Sequence, residues 1–294
     1  MPRSRQPPDL RRPRSASPSS RQNRSSTATT AGSLFLIGGK DGRNGDRILL
    51  DRFVTICGGS SARVLVVTTA SSDPKRQHKE YAAAFRRSGA RRISIFHPGR
   101  RTEADDPALL TALNRADGLY FSGGNQLKLV ATIGGTMFDA RFRERHREGL
   151  VVGGTSAGAS ALSVVMIAGG RSRHAARFSS VELSAGLGLL PKIIVDQHFR
   201  QRDRIGRLLS AVLRNPAMLG FGLDEGTAVE IDAAGRVDVL GAGTLTIVDG
   251  SELQGSSLLG SAKENSRLAF AGMRLHVLGT GWRYDLATRE AMGL

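Results

Sequence analysis

Gly154-Thr155-Ser156-Ala157-Gly158 fits the pattern G-x-S-x-G. That pattern carries a nucleophilic serine on a sharp strand-to-helix turn. The helix passes close to the strand it follows, so the residues around the turn must be small. Gly153, Gly154, Ala157, Gly158 and Ala159 meet that need. The apolar pair Val151-Val152 precedes the motif, and residues 159–165 are expected to continue it as a helix. The bland alternative is a glycine-rich turn that cradles a phosphate on a helix N-terminus.

A serine hydroxyl needs a base to take its proton, and the base needs an acid to orient it. Six histidines are available. His78 lies on a polar helical stretch, His97 precedes Pro98, and His146 sits in RFRERHRE, read as a solvated helix face. His174 falls in a polar loop and His276 in a late strand. Only His198 follows directly from a buried apolar strand, at 193–196, which makes it the candidate general base. For the acid, Asp224-Glu225 ends an apolar run and is the best-placed pair, with Asp196 and Glu182 as rivals. A carboxylate pair in a β-turn is the bland alternative.

The segment 196–208 is dense in fixed charge. Arg204 and Arg207 are spaced i, i+3 and share a helix face. Arg202 joins them only if the helix begins near Asp203. Arginine forks suit carboxylates through paired hydrogen bonds, although an exposed basic helix face explains the spacing equally well. Gly123-Gly124-Asn125-Gln126 offers backbone N–H donors and an amide, suited to an oxyanion and a polar substrate contact.

The elements that must position these groups are short apolar strands alternating with helices. Strands are expected at 34–37, 63–68, 92–96, 118–121, 151–152 and 193–196. Helices are expected near 47–57, 77–88 and 107–114. This alternation implies an α/β fold: a mostly parallel sheet with helices on both faces. Functional groups in such sheets gather at the carboxyl ends of the strands. After residue 229 the pattern turns β-rich, with strands at 229–231, 236–240, 244–248 and 274–278, read as an antiparallel extension of the same domain.

Residues 1–32 are rich in Arg, Ser and Pro and cannot bury enough apolar surface to order. They are expected to be a disordered tail before a single domain at 33–294. The tail lacks the apolar core of a secretory signal. Cys57 is the single cysteine, which excludes a disulfide framework and a cysteine-based zinc site within the chain, and fits a reducing compartment. No apolar run has the length of a membrane span. The net charge is +16, which raises a nucleic-acid partner. The charge is scattered arginine without a lysine block, and aromatic content is 5%, so a soluble basic surface is the preferred reading.

Six segments together resemble the cyanophycinase family, serine peptidases related to aspartyl dipeptidases: LFLIGGKDG, LYFSGGNQ, GGTSAGAS, IIVDQHFRQRDRIGRL, GFGLDEGTAVEI and RLHVL. They extend from about residue 34 to 280. The resemblance implies a fold like that of class I glutamine amidotransferases, a homodimer and a cytoplasmic location. It implies hydrolysis of cyanophycin, a poly-aspartate with arginine on each side-chain carboxylate, to β-Asp-Arg dipeptides through an acyl-enzyme, without metal or organic cofactor. By the same token Ser156 matches the nucleophile, His198 the base and Glu225 the acid. Gln126, Asp196, Gln197, Arg202, Arg204 and Arg207 match substrate-pocket positions, while Gly124 and Ala157 are the expected oxyanion donors. Two departures stand out: residues 167–177, where the dipeptidases carry their acid, contain none, and Gly226 replaces a larger polar residue. An aspartyl or isoaspartyl dipeptidase and a non-catalytic binding homologue are the alternatives.

Overall fold

A computed structural model describes residues 31–170, 175–257 and 266–293. The basic tail, apart from its last two residues, and His174 lie outside the described residues.

Strand β1 (Leu34–Ile37) leads through α1 (Ile48–Ile56) to β2 (Arg63–Val67), and α2 (Pro74–Arg87) leads to β3 (Arg92–Phe96). Helices α3 (Arg101–Ala104) and α4 (Pro107–Arg115) precede β4 (Gly118–Phe121). Helices α5 (Gln126–Ile133) and α6 (Met137–Arg147) precede β5 (Val151–Thr155). Next come α7 (Ala157–Ser160), β6 (Val165–Gly170), β7 (Val181–Ala185), β8 (Ile193–Asp196) and α8 (Ile205–Arg214). The rest is strand: β9 (Leu219–Leu223), β10 (Thr227–Ile231), β11 (Arg236–Gly241), β12 (Leu245–Asp249), β13 (Gly255–Ser256), β14 (Phe270–Ala271), β15 (Arg274–Leu278), β16 (Trp282–Asp285) and β17 (Glu290–Gly293).

The main sheet has nine strands in the order β17-β16-β11-β10-β1-β5-β4-β2-β3. Strands β1 to β5 are parallel, and β10, β11, β16 and β17 extend the sheet antiparallel. The expected mostly parallel α/β sheet with a β-rich C-terminal extension is therefore present. Its apolar runs are continuous because both faces are covered. On one face Phe35, Phe53, Tyr81, Phe85 and Tyr120 pack with α1 and α2. On the other, Leu36, Val67, Phe121, Phe138, Phe142 and Val152 form the larger core.

Two expectations need correction. The strand at 193–196 does not join the main sheet. It pairs parallel with β9 in a second sheet of order β15-β12-β9-β8. Ile193, Val195, Phe221 and Ile247 share the larger core with Leu36 and Val152, so the second sheet packs into the same interior. Nor does a helix continue over 159–165: α7 ends at Ser160. The carbonyl of Ala161 accepts from the N–H of Leu187, and that of Leu162 from Leu189 and Leu190. Those acceptors are thus spent on the returning chain, and Val165–Gly170 pairs with β7 instead. The β-branched pair Val164-Val165 and Ile167 favour that strand.

Candidate active site

The turn at Ser156 joins the end of β5 to α7, with Ser156 at φ 54° and ψ −115°. A non-glycine residue in such a conformation costs about 1–3 kcal/mol and persists only where its surroundings hold it. Here the Ser156 N–H donates to the carbonyl of Ile37 at 2.9 Å, and its own carbonyl accepts from the N–H groups of Ala159 and Ser160. The flanking glycines are required by contact. A Cβ on Gly154 would lie 2.6 Å from the backbone of Gly158, and one on Gly158 would lie 2.3 Å from the carbonyl oxygen of Phe121. The strand-to-helix crossing that the motif predicts is thus the one that occurs.

The carboxyl ends of the two sheets meet at this turn. The N–H of His198 donates to the carbonyl of Gly38, just past β1, at 2.7 Å. The N–H of Gly226 donates to the carbonyl of Gly39 at 2.8 Å. Ser156 Oγ then lies 2.9 Å from His198 Nε2, and His198 Nδ1 lies 2.7 Å from Glu225 Oε1. Nδ1–H donates to the carboxylate, which leaves Nε2 as the acceptor for the serine proton. Burial lowers the pKa of His198, against the opposing pull of Glu225, and the Arg202 and Arg204 charges push it down further. Burial works to raise Glu225, but Lys40 and His198 outweigh it and hold its carboxyl below the ordinary range.

The rival acids are engaged elsewhere. Asp224 accepts from the N–H of Arg200 and from the N–H and hydroxyl of Thr244, so it ties β9 to the loop before β12. Glu182 lies on β7 against Gly169. Asp196 is bound on both oxygens by buried arginines: Arg207 Nε donates at 2.6 Å, Arg207 Nη2 closes the bidentate pair, and Arg204 Nη1 adds a bond at 3.3 Å. An exposed basic helix face is therefore not what the i, i+3 spacing encodes. Helix α8 begins at Ile205 with Arg204 just before its first turn, and the Arg204 and Arg207 side chains are only 7% and 5% exposed.

This network reaches the serine through Gln197. Arg204 Nη1 donates to the Gln197 carbonyl and to its Oε1, which lies 3.4 Å from Ser156 Oγ. Asp196 and Arg207 are committed to each other inside the core. Gln126 is half committed as well, since its amide donates to the carbonyls of Ile167 and Ala168 at 3.0 Å each. Arg202, in a short 3₁₀ turn, is exposed, and among the described residues no carboxylate pairs with it. Gly123 packs against the Ser156 side chain, which places the Gly123-Gly124 turn beside it. Ala157 is the first residue of α7, and the leading N–H groups of a helix have no partner within it.

The remaining histidines have other settings. His97 Nδ1 contacts Thr68. His146 is partly buried and bonded to the Leu150 carbonyl, so its helix face is less solvated than expected. One residue escaped the sequence reading altogether. Lys40 Nζ lies 2.6 Å from Glu225 Oε2. A lone lysine in a glycine-rich loop carries no signal until the fold brings it to the acid.

Gly39 supplies a direct test of this geometry. Its φ is +113°, and a Cβ there would lie 2.3 Å from the His198 ring. Gly39→Ala is expected to displace the imidazole and lower kcat by about 10²-fold, as an ångström of misplacement does. Wild-type kcat in that variant would contradict the placement of His198.

The Ser–His–Glu arrangement at the carboxyl ends of an α/β sheet suits a hydrolase that acts through a serine nucleophile. The profile of "Peptidase family S51" matches residues 34–237. The chain is 38% identical over 260 residues to a cyanophycinase of Synechococcus elongatus, covering 88% of this chain and 80% of that protein. It is 34% identical over 261 residues to the cyanophycinase of Geminocystis herdmanii, covering 88% and 96%. A solved peptidase from an acI-B1 Actinobacterium shares the fold, with a TM-score of 0.63 at 20% identity, covering 91% of this chain and 98% of that one. The chain belongs to peptidase family S51 and is a serine-type peptidase.

Proposed function

We propose that the chain hydrolyses cyanophycin to β-Asp-Arg dipeptides through an acyl-enzyme on Ser156. The observation that carries this reading is the unbroken hydrogen-bonded line Ser156–His198–Glu225, and the cyanophycinase relatives supply the substrate class. Ser156 Oγ attacks the scissile carbonyl carbon while its proton passes to His198 Nε2. Glu225 orients the ring and stabilises the imidazolium. The N–H groups of Ala157 and Gly124 receive the oxyanion. His198 returns the proton to the departing amine as the C–N bond breaks. A water, deprotonated by the same nitrogen, then frees the acid product and Ser156.

Arg202 presents positive charge at the surface beside the base, and Arg204 adds to the positive field from the buried network beneath it, a setting suited to the carboxylates of an arginyl-aspartate polymer. Asp196 and Arg207 act indirectly, by holding Arg204 and Gln197 in place. A homodimer in the cytoplasm belongs to the same reading; the buried, free thiol of Cys57 is compatible with a reducing interior. The test is incubation of purified protein with cyanophycin, with β-Asp-Arg as the expected product. Hydrolysis of free Asp-X dipeptides to aspartate and X, with the polymer untouched, would assign a dipeptidase instead.

The pH dependence follows from His198. The neutral ring is the base, and its pKa lies below the ordinary 6.5. The acid limb of kcat/KM, which reports the free enzyme, is therefore expected below pH 6.5, with activity lost as pH falls through it. An Arg202→Ala variant removes one of the charges that lower this pKa and is expected to move the limb upward. A limb above pH 6.5 in the unsubstituted protein would remove His198 as the base.

A further inference from the structure

A cleft of about 680 Å³ opens beside Glu225, within the size range of small-molecule sites. The loop 40–46, Ile48 and Leu49 line it on one side, and Gly226, Gly241, Ala242 and Thr280 on the other. It starts where the triad ends. Three successive contacts of 2.9, 2.7 and 2.6 Å run from Ser156 through His198 and Glu225 to Lys40, which forms part of the cleft wall.

Four charged side chains line this cleft, and two are spent. Asp41 is buried and accepts from the hydroxyls of Tyr81 and Tyr120. Arg43 donates to Gln77 and lies over the Tyr81 ring, beside Asp41. The two that remain are Lys40, with its side chain 76% exposed, and Asp46, also exposed. Glu225 engages Lys40 through one carboxylate oxygen, while an ammonium carries three donors. Among the described residues Asp46 is engaged through Oδ1, which accepts from the N–H of Ile48 at 3.1 Å. Lys40 is moreover held at φ 48°, a left-handed backbone unusual for a side-chain-bearing residue. The cleft thus offers one positive and one negative group, with the exposed Ile48 side chain as an apolar wall.

We propose that this cleft is a second substrate subsite, which takes the zwitterionic arginyl side chain of a residue flanking the scissile bond. Lys40 receives its carboxylate, Asp46 its guanidinium, and Ile48 packs on its methylene stem. Lys40 is at the same time a positioning residue, since it holds the second oxygen of Glu225. The inference rests on the polymer-hydrolase reading given above.

The experiment is steady-state kinetics on cyanophycin with Asp46→Ala, which removes the anionic contact, and Ala242→Trp, which fills the cleft from an exposed position. Both are expected to raise KM about tenfold, the loss of one charge-assisted bond, with kcat within about twofold. Lys40→Met is expected to lower kcat as well and to shift the acid limb of kcat/KM. Lys40→Arg should restore the limb. Normal cleavage with KM unchanged in both cleft variants would overturn the subsite alone. If the unsubstituted protein reacts at Ser156 with a fluorophosphonate but leaves cyanophycin intact, the polymer reading fails, and the subsite falls with it.

Discussion

Alanine in place of Ser156 is expected to abolish measurable release of β-Asp-Arg, with a loss on the order of 10⁴- to 10⁶-fold, as for other serine triads. The substitution removes a single oxygen. Alanine occupies the φ 54° turn at no greater steric cost than serine, and the bonds that hold the turn involve only the backbone. His198 keeps Glu225 as its partner on Nδ1, so the fold and the base should survive. The variant should therefore unfold at the wild-type temperature while failing to react with a fluorophosphonate. Activity within tenfold of the unsubstituted protein would exclude Ser156 as the nucleophile. The magnitude separates this role from a merely structural one, since loss of a single hydrogen bond costs only about 0.5–1.5 kcal/mol, roughly tenfold at most.

The largest effect on stability is expected at Asp196. Its carboxylate is fully buried between the guanidinium groups of Arg204 and Arg207. Burial brings Arg204 down to about 10, with Asp196 opposing the shift and Arg207 and Arg202 adding to it. Asp196→Ala would leave two buried cations without a counter-charge, which costs about 3–5 kcal/mol. For a chain of 294 residues that corresponds to a fall in Tm of about 5–9 °C. Activity should fall with it, because Arg204 also holds Gln197 beside the serine. An exposed pair is the control. Arg100 and Glu103 are 81% and 41% exposed, and Arg100→Ala should leave the melting temperature nearly unchanged, because an exposed pair is screened by solvent. Equal effects at the two sites would show that the Asp196 network is not the buried anchor described here.

Much of the site was legible along the chain because local sterics and burial write themselves into composition. Strands buried on both faces are continuous apolar runs, so β1, β4 and β8 have the boundaries their apolar runs predict, whereas β3, an edge strand of alternating exposure, is marked by its β-branched and aromatic residues. The closeness of α7 to β5 and β4 admits only glycine at 154 and 158, so the motif itself records the crossing. His198 was singled out because an apolar strand delivers it.

The serine turn is thus legible in residues 151–159, which mark the strained position and its small neighbours, while Ile37 and Phe121 supply the surroundings that hold it. The partners of Ser156 are not legible there. That β8 belongs to a second sheet, that Glu225 rather than Asp224 meets His198, that Arg204 and Arg207 point inward to Asp196, and that Lys40 reaches the acid were decided only when two sheet ends came together. Local spacing constrains what a segment can become, because neighbouring backbone and side-chain volumes must be accommodated within a few residues. The direction in which a charged side chain turns depends on counter-charges up to 185 positions away, from Lys40 to Glu225, and no property of its own segment carries that information.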